Sequence, residues 1–357
     1  MQALLFEPLS LRNLTLPNRI VVEPMTQFSA HDGTPGDWHL MHLGQYAVSG
    51  AGLVFTESTY VAPEARNTPM CLSLYSDEQE EALLRIKRFF DAYGKARLGV
   101  QLCHAGRRAS AREPWLGGGP RLPGEGGYET WAPSPVPISD RWPLPREIDG
   151  AEMESIRHAF VAAAKRALRA GADVIELHCA HGYLMHQFLS PLSNRRTDPY
   201  GGRLENRLRF PLGVFEALRA AWPQEKPMGV RVSATDWVEG GWDLPQTIEL
   251  ARALESLGCD FIDVSSGGLS EAQRIAVGPG YQTPFARAIK AAVTMKVIAV
   301  GLITGPHQAE SILRDGRADL IGLARAMLYD PRWPWHAAHA LGDDMAYPLE
   351  YERPHHA

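Results

Sequence analysis

The sequence has few cysteines, and they are widely spaced. The four, Cys71, Cys103, Cys179 and Cys259, form no Cys-x-x-Cys pair in 357 residues. Zinc ribbons and iron–sulfur clusters need closely spaced thiolates, so the sequence indicates neither. Cys179 stands beside two histidines and could be taken for a nucleophile. We interpret it as a packing residue, because it follows a predicted buried strand.

Blocks of Lys and Arg and long apolar runs are also missing. With a net charge of −5, the chain lacks the basic surface that nucleic acid or an anionic membrane would attract. No segment is long and apolar enough to span a bilayer. The first residues lack the basic and apolar regions of a signal peptide. We therefore expect a cytoplasmic protein with neither a nucleic acid nor a membrane as partner.

Short apolar segments rich in Val, Ile and Leu alternate with amphipathic segments along the whole chain. This pattern is typical of buried parallel strands connected by helices. The eight predicted strands are 19–25, 53–58, 98–102, 174–178, 228–232, 261–264, 297–300 and 320–323. Eight alternations predict the α/β class and a single (β/α)8 TIM barrel domain over residues 1–357. A doubly wound sheet is the alternative, but no Gly-x-Gly-x-x-Gly follows the first strand.

Two connections are too long to be simple links between elements. They lie near 104–149 and 179–202, and both follow the carboxyl end of a predicted strand. Loops of this length at that end of a barrel commonly close over a binding site, so we predict capping loops. The polar tail near 342–357 contains prolines, and we expect it to be either disordered or docked on another subunit.

His178, His181 and Tyr183 stand where the fourth predicted strand ends. The carboxyl ends of parallel strands are where α/β proteins build their sites. Two imidazoles can bind one anionic or carbonyl oxygen, and a phenol can donate a proton. A structural pair or a fragment of a metal site are the alternatives that these residues leave open.

Glycines and an arginine follow the seventh and eighth predicted strands. Gly301 comes after the seventh, and Gly322, Ala324 and Arg325 come at the end of the eighth. Free backbone N–H groups and a guanidinium at this position suit a phosphate. Tight turns alone would also explain the glycines. Their combination with Arg325 favours a phosphate site.

The chain resembles the Old Yellow Enzyme family, in the branch of thermophilic-like and xenobiotic-reductase enzymes. The resemblance runs from residue 5 to residue 353, and its most specific motif is SNRRTDPYGGRLENR at 193–207. It implies a tightly bound FMN and a diffusible NADPH or NADH as hydride donor. Longer relatives add an iron–sulfur and dinucleotide domain, for which this chain has neither the length nor the cysteines.

The resemblance also implies which residues bind FMN. Gln101 would pair with the flavin ring edge, Arg231 would stabilise the anionic reduced flavin, and Arg325 would hold the phosphate. The complete implied set is Pro24, Met25, Thr26, Ser58, Gln101, Arg231, Ser265, Gly301, Ala324 and Arg325. Thr26 departs from the Cys common in this branch, and Ala324 stands where relatives often have Gly.

The implied reaction is the reduction of an activated C=C bond in an α,β-unsaturated carbonyl or nitro compound. Hydride would pass from the reduced flavin to the β-carbon while Tyr183 protonates the α-carbon. His178 and His181 would bind the substrate's oxygen. Phe28 and Arg353 would complete the substrate site. Because Arg353 would enter the neighbouring subunit, we expect a homodimer or a dimer of dimers.

Two other functions remain open on the sequence. A metal-dependent barrel hydrolase could use His178, His181 and carboxylates, but no His-x-His follows the first strand. Glu176 is expected to point away from the site. A flavin-binding redox protein without catalytic activity is the second alternative.

Overall fold

The computed structural model describes residues 2–345 and 347–351. Its strands are β1 (Leu9–Leu11), β2 (Leu14–Leu16), β3 (Ile20–Val22), β4 (Leu53–Phe55), β5 (Thr59–Tyr60), β6 (Arg97–Cys103), β7 (Trp131–Ala132), β8 (Arg146–Glu147), β9 (Val174–Cys179), β10 (Met228–Ser233), β11 (Phe261–Ser265), β12 (Lys296–Ala299) and β13 (Leu320–Leu323). Its α-helices are α1 (Asp37–Ala47), α2 (Asp77–Tyr93), α3 (Gly150–Arg169), α4 (Leu184–Leu189), α5 (Leu204–Ala221), α6 (Leu244–Ser256), α7 (Thr283–Lys290), α8 (Pro306–Arg314), α9 (Arg325–Tyr329) and α10 (Trp333–Leu341).

Eight parallel strands form a closed barrel. Around it the order is β3, β4, β6, β9, β10, β11, β12 and β13, and β13 pairs with β3 to close the ring. All eight predicted strands are therefore confirmed, as is the TIM barrel. The first two end earlier than predicted, at Val22 and Phe55. Pro24 has no N–H to continue the ladder, which gives a physical reason for the early end of β3.

The barrel interior changes character along its axis. Near the amino ends of the strands it is apolar, and Phe55 and Phe261 fill the centre. Gly99 makes room for one of these rings, since a Cβ there would lie 2.5 Å from Phe55. Towards the carboxyl ends the interior side chains become polar and charged: Glu23, Gln101, Glu176, Arg231 and Asp263, all buried. This polar layer is the floor of the site described below.

A capping box fixes the start of α3. Asp149 accepts a hydrogen bond from the N–H of Glu152 at 2.8 Å, and Glu152 accepts one from the N–H of Asp149 at 2.9 Å. The buried face of α3 carries Met153, Ile156 and Phe160. Among the described residues, none of the helices has the length and apolar character needed to cross a membrane.

Both long connections leave the carboxyl end of the barrel. The first, after β6, is tied down at its start by two arginines. Arg107 donates to the carbonyls of Val136 at 3.0 Å and Leu269 at 2.9 Å, and Arg108 donates to Gly268 O at 2.8 Å. The loop after β6 is therefore fastened to the loop after β11.

The second connection contains α4 and the 193–207 motif. Arg196 pairs with Asp198 at 2.5 Å and also donates to the carbonyls of Pro133 at 3.0 Å and Ile148 at 2.7 Å. The motif thus joins the two long connections to each other.

The described part of the tail packs on its own chain. The ring of Tyr351 lies 5.7 Å from that of Trp335, and the guanidinium of Arg332 lies 5.0 Å from the Tyr351 ring centroid. Arg353 lies outside the described residues, so its predicted role in a neighbouring site stays a prediction.

Candidate active site

The turn after β9 carries the predicted catalytic group. His181 adopts a φ of +58°, which is uncommon for a residue with a Cβ. The turn packs directly against the loop after β11, because a Cβ on Gly268 would lie 2.6 Å from the His181 Cα. A Cβ on Gly182 would in turn overlap the Gly268 carbonyl. These two glycines let the backbones meet and fix the direction of His181.

The two histidines lie side by side. Nε2 of His178 is 3.4 Å from Nδ1 of His181, and Nδ1 of His178 accepts from the N–H of Ala180 at 3.3 Å. Nε2 of His181 lies 2.7 Å from Oγ of Ser265. Burial, and then the charge of Arg231, lower the pKa of both imidazoles well below the usual range. Both are therefore neutral at neutral pH.

Tyr183 stands next to this pair. Its ring centroid is 4.9 Å from that of His178. The guanidinium of Arg108 lies 5.6 Å from its centre, and Tyr60 makes an edge contact at 6.4 Å. Burial raises the pKa of Tyr183 to about 12, so the phenol keeps its proton at neutral pH. The sequence interpretation missed Tyr60 and Arg108 as neighbours of Tyr183, because the contacts join different strand ends.

A buried pair of a histidine and a carboxylate supports the turn. His186 and Asp236 are 2.9 Å apart and both fully buried, and Nδ1 of His186 accepts from the N–H of Gly182 at 3.0 Å. Asp236 also accepts from Ser190 Oγ at 2.6 Å and from Trp242 N at 2.8 Å. This network connects the loop after β10 to the catalytic turn.

The structure brings Ser58 and Gln101 together. Ser58 Oγ donates to Oε1 of Gln101 at 2.8 Å, and Nε2 of Gln101 donates to Glu176 Oε1 at 2.8 Å. The expectation that Glu176 points away was wrong. Glu176 is the register partner of Gln101, so both side chains point into the barrel. Burial, and then the charge of Asp263, raise the pKa of Glu176 to about 8.

Arg231 lies in the same polar layer and is the register partner of His178. Its Nε is 2.7 Å from Asp263, and its Nη2 is 2.9 Å from Glu23. Arg231 therefore lies beside His178 on the neighbouring strand, and its guanidinium is held between two carboxyl groups.

A cavity of about 150 Å³ opens at the ends of β11 to β13. Its lining includes Ser265, Tyr281, Gln282, Val300, Gly301, Gly322, Ala324 and Arg325. At Gly301 the φ is +116°, and a Cβ there would lie 2.8 Å from Nε2 of Gln282. Gln282 accepts from Ser266 at 2.6 Å and donates to Val300 O at 3.3 Å. Gln282 was missed because it lies at the start of α7, away from any strand end.

The loop after β3 forms one wall of the site. Pro24, Met25 and Thr26 are half-buried there, and Gln27 N donates to Glu57 at 3.2 Å. Phe28 meets the ring of Trp115 from the long connection, with centroids 5.7 Å apart. Cys179, by contrast, is buried in the core as predicted.

The part of the chain that the structure describes contains no group of three or more His, Cys, Asp or Glu side chains arranged to hold a metal ion.

Comparison with known proteins gives concordant matches over the whole chain. Residues 4–344 match the NADH:flavin oxidoreductase / NADH oxidase family. An NADPH dehydrogenase of Geobacillus sp. (strain WCH70) is 41% identical over 355 residues, covering 99% of both chains. One from Bacillus subtilis (strain 168) is 40% identical over 351 residues, covering 98% of both. The solved structure of morphinone reductase matches with a TM-score of 0.80 and 28% identity, covering 99% of this chain and 93% of that one.

Proposed function

This chain belongs to the NADH:flavin oxidoreductase / NADH oxidase family, the Old Yellow Enzyme family that its motifs resemble, and from that premise we propose that it reduces activated C=C bonds. It is an FMN-dependent oxidoreductase with a nicotinamide as hydride donor. The proposed substrates are α,β-unsaturated carbonyl and nitro compounds. NADPH is the proposed donor, because the similar Geobacillus and Bacillus proteins are named NADPH dehydrogenases.

The residues present fit FMN. The glycine-walled cavity beside Arg325 has the charge and the close backbone approach that a phosphate needs. Ser58, Gln101 and Arg231 form a polar surface across the barrel, suited to the polar edge of a flavin ring. When bound, FMN supplies a ring that takes hydride from the nicotinamide and delivers it to the substrate's β-carbon.

The histidine pair binds the oxygen of the substrate. Nδ1 of His178 accepts from a backbone N–H, so its proton is on Nε2. We assign the hydroxyl proton of Ser265 to Nε2 of His181, which leaves the His181 proton on Nδ1. The two N–H groups then lie 3.4 Å apart, close enough for one carbonyl or nitro oxygen to accept from both. Because both rings are neutral, they polarise the oxygen by hydrogen bonding and transfer no proton to it.

Tyr183 delivers the proton to the α-carbon. It is the titratable group beside the histidine pair that keeps its proton at neutral pH, with a pKa of about 12. The observation that carries the proposal is this combination: two neutral imidazoles with nitrogens 3.4 Å apart, and a protonated phenol whose ring centroid is 4.9 Å from that of His178.

An anaerobic titration tests the function. NADPH should bleach the flavin absorbance, and 2-cyclohexenone should restore it. An inert flavin-binding protein would fail the second step, and a metal hydrolase would show no flavin band.

Tyr183→Phe should leave bleaching by NADPH unchanged and slow the restoration by about 10²–10⁴-fold, the usual contribution of a positioned acid. Tyr46→Phe is the control, because Tyr46 is a buried tyrosine that lies on α1. Equal slowing of both half-reactions in Tyr183→Phe would remove Tyr183 from this role.

A further inference from the structure

The polar layer below the histidine pair contains more acid than base. It has three carboxyl groups, those of Glu23, Glu176 and Asp263, and one guanidinium, that of Arg231. All four residues are between 0 and 7% exposed. A buried charge without a partner is costly, and one guanidinium neutralises only one carboxylate. At least one of the three acids, and more stably two, therefore hold a proton at rest.

Glu23 has a particular position in this layer. It directly precedes Pro24, at the wall of the cofactor site, and its Oε2 is 2.9 Å from Nη2 of Arg231. A Cβ on Gly322, which lines the cavity, would overlap Oε1 of Glu23, so Gly322 provides the space for this side chain. Glu23 thus connects the cavity wall to the guanidinium.

The contact between Glu23 and Arg231 lacks an aligned N–H. Neither carboxyl oxygen of Glu23 accepts from an N–H of good geometry among the described residues, and its side chain lies within hydrogen-bonding reach of that of Asp263. The charged groups that face Glu23 are Arg231 on β10, Asp263 on β11 and Glu176 on β9. Burial raises the pKa of Glu23 well above its usual value, Arg231 opposes this rise, and Asp263 and Glu176 add to it.

We propose that Glu23 is a positioning residue of the cofactor site, which holds Arg231 against the site wall and, on losing its proton, cancels part of the guanidinium charge. This rests on the proposed placement of Arg231 at the polar edge of the flavin ring. A reduced flavin carries more negative charge than an oxidised one, so a cancelled guanidinium disfavours reduction. The reduction potential of the bound FMN therefore falls more steeply with pH while Glu23 ionises.

The test measures this potential by spectroscopic titration of the holoenzyme between pH 6 and pH 9. Glu23→Gln keeps an oxygen for Nη2 but cannot ionise. At the acid end of this range, while Glu23 of the unaltered protein is protonated, the two potentials should match. Once Glu23 has ionised, the ratio of reduced to oxidised FMN at one fixed potential should be about 10-fold higher in Glu23→Gln, equivalent to about 30 mV for a two-electron couple.

Two variants separate Glu23 from other buried acids. Glu310→Gln is the control, because Glu310 is also buried but lies on α8, away from the polar layer. Its carboxylate accepts from the N–H groups of Leu4 and Leu5. Its curve should follow that of the unaltered protein. Parallel curves for Glu23→Gln and the unaltered protein would overturn the proposal. The proposal would also be overturned if the potential of Glu176→Gln fell less steeply with pH while that of Glu23→Gln did not.

If Glu23→Gln fails to bind FMN, Glu23→Asp replaces it, because Asp retains an ionisable acid. The reduction potential of FMN in Glu23→Asp should still fall more steeply with pH where the acid ionises. Absence of this steeper fall in Glu23→Asp would overturn the proposal. The measurement needs only bound FMN. Failure to reduce 2-cyclohexenone would therefore refute the proposed function, but the pH dependence of the FMN potential could still be measured and interpreted.

Discussion

Gly301 adopts a φ of +116°, a conformation that residues with a Cβ rarely take. It forms part of the proposed phosphate cavity, and an added Cβ would lie 2.8 Å from Nε2 of Gln282. Gly301→Ala should therefore shift the cavity wall and weaken FMN binding at least 10-fold, which fluorescence titration of the apoprotein with FMN would measure. Gly305→Ala is the control, because Gly305 has an ordinary φ of −96° and no neighbour within 4 Å of an added Cβ. Equal FMN affinity in both variants would contradict this account of Gly301.

Ser265 lies 2.7 Å from Nε2 of His181 and is proposed to set which nitrogen of that ring carries the proton. Ser265→Ala should weaken a phenolate ligand such as 4-hydroxybenzaldehyde by about 0.5–1.5 kcal/mol, the value of one hydrogen bond. The charge-transfer absorbance of the complex reports the affinity. Ser266→Ala removes the adjacent hydroxyl, which contacts Gln282 instead of His181, and should leave this affinity unchanged. The assignment of the His181 proton fails if both variants bind the phenolate equally.

At the scale of elements, α4 and the catalytic turn depend on the buried pair of His186 and Asp236. Burial alone would raise the pKa of Asp236, but the charge and hydrogen bonds of His186, with Ser190 and Trp242, lower it below the usual value. Its stabilising effect is therefore present above the unfolded-state pKa and is lost as the pH falls below about 4.

Asp236→Asn should reduce the free energy of unfolding by about 3–5 kcal/mol at pH 7, the cost of breaking a buried pair. Urea unfolding measures this, and the difference from the unaltered protein should shrink as the pH falls below about 4. The exposed pair of His336 and Asp330 gives the comparison, and Asp330→Asn should cost less than about 1 kcal/mol. An equal loss of unfolding free energy in the two variants would mean that the buried pair stabilises the fold no more than the exposed pair does.

The strands could be predicted because buried parallel strands read as short apolar runs. The end of the first strand was placed too late, because Met25 was read as its last residue although Glu23 and Pro24 already close the apolar run. The orientation of Glu176 was also beyond the sequence. A carboxyl within an apolar strand gives no sign of whether it points inward, and only the register with Gln101 fixes it. Long-range contacts such as those of Tyr60 and Arg108 with Tyr183 depend on barrel closure.

At the scale of the whole molecule, the predicted assembly concerns the tail. We expect a homodimer or dimer of dimers in which Arg353 reaches the partner's substrate site. A chain ending after Tyr347 should keep its FMN and show a raised KM for enones, with sedimentation reporting the oligomeric state. Full activity together with an unchanged oligomeric state would show that the tail has no such role.

The fold could be predicted from the alternation of apolar and amphipathic segments, and the cofactor from the family motif. Glu23, Gln282 and the acids of the polar layer could not, because their meaning depends on neighbours from other strands. The sequence indicates which residues stand at strand ends, but it does not indicate which buried side chains contact one another inside the barrel.

The fastening of the first long connection by Arg107 and Arg108 has a consequence for how this enzyme can diversify. Both arginines donate to backbone carbonyls, so these hydrogen bonds do not depend on which side chains the loops carry. Beyond them, Trp115 and Leu116 are exposed, and nothing lies within 4 Å of a Cβ added to Gly117, Gly118 or Gly119. Substitutions of Trp115 and Leu116 and small insertions should therefore be tolerated, whereas the positive φ values of the three glycines (92°, 61° and 78°) disfavour a Cβ at those positions. Because Trp115 contacts Phe28, sequence changes in this loop should alter which molecules can enter the site and should leave the catalytic residues unchanged.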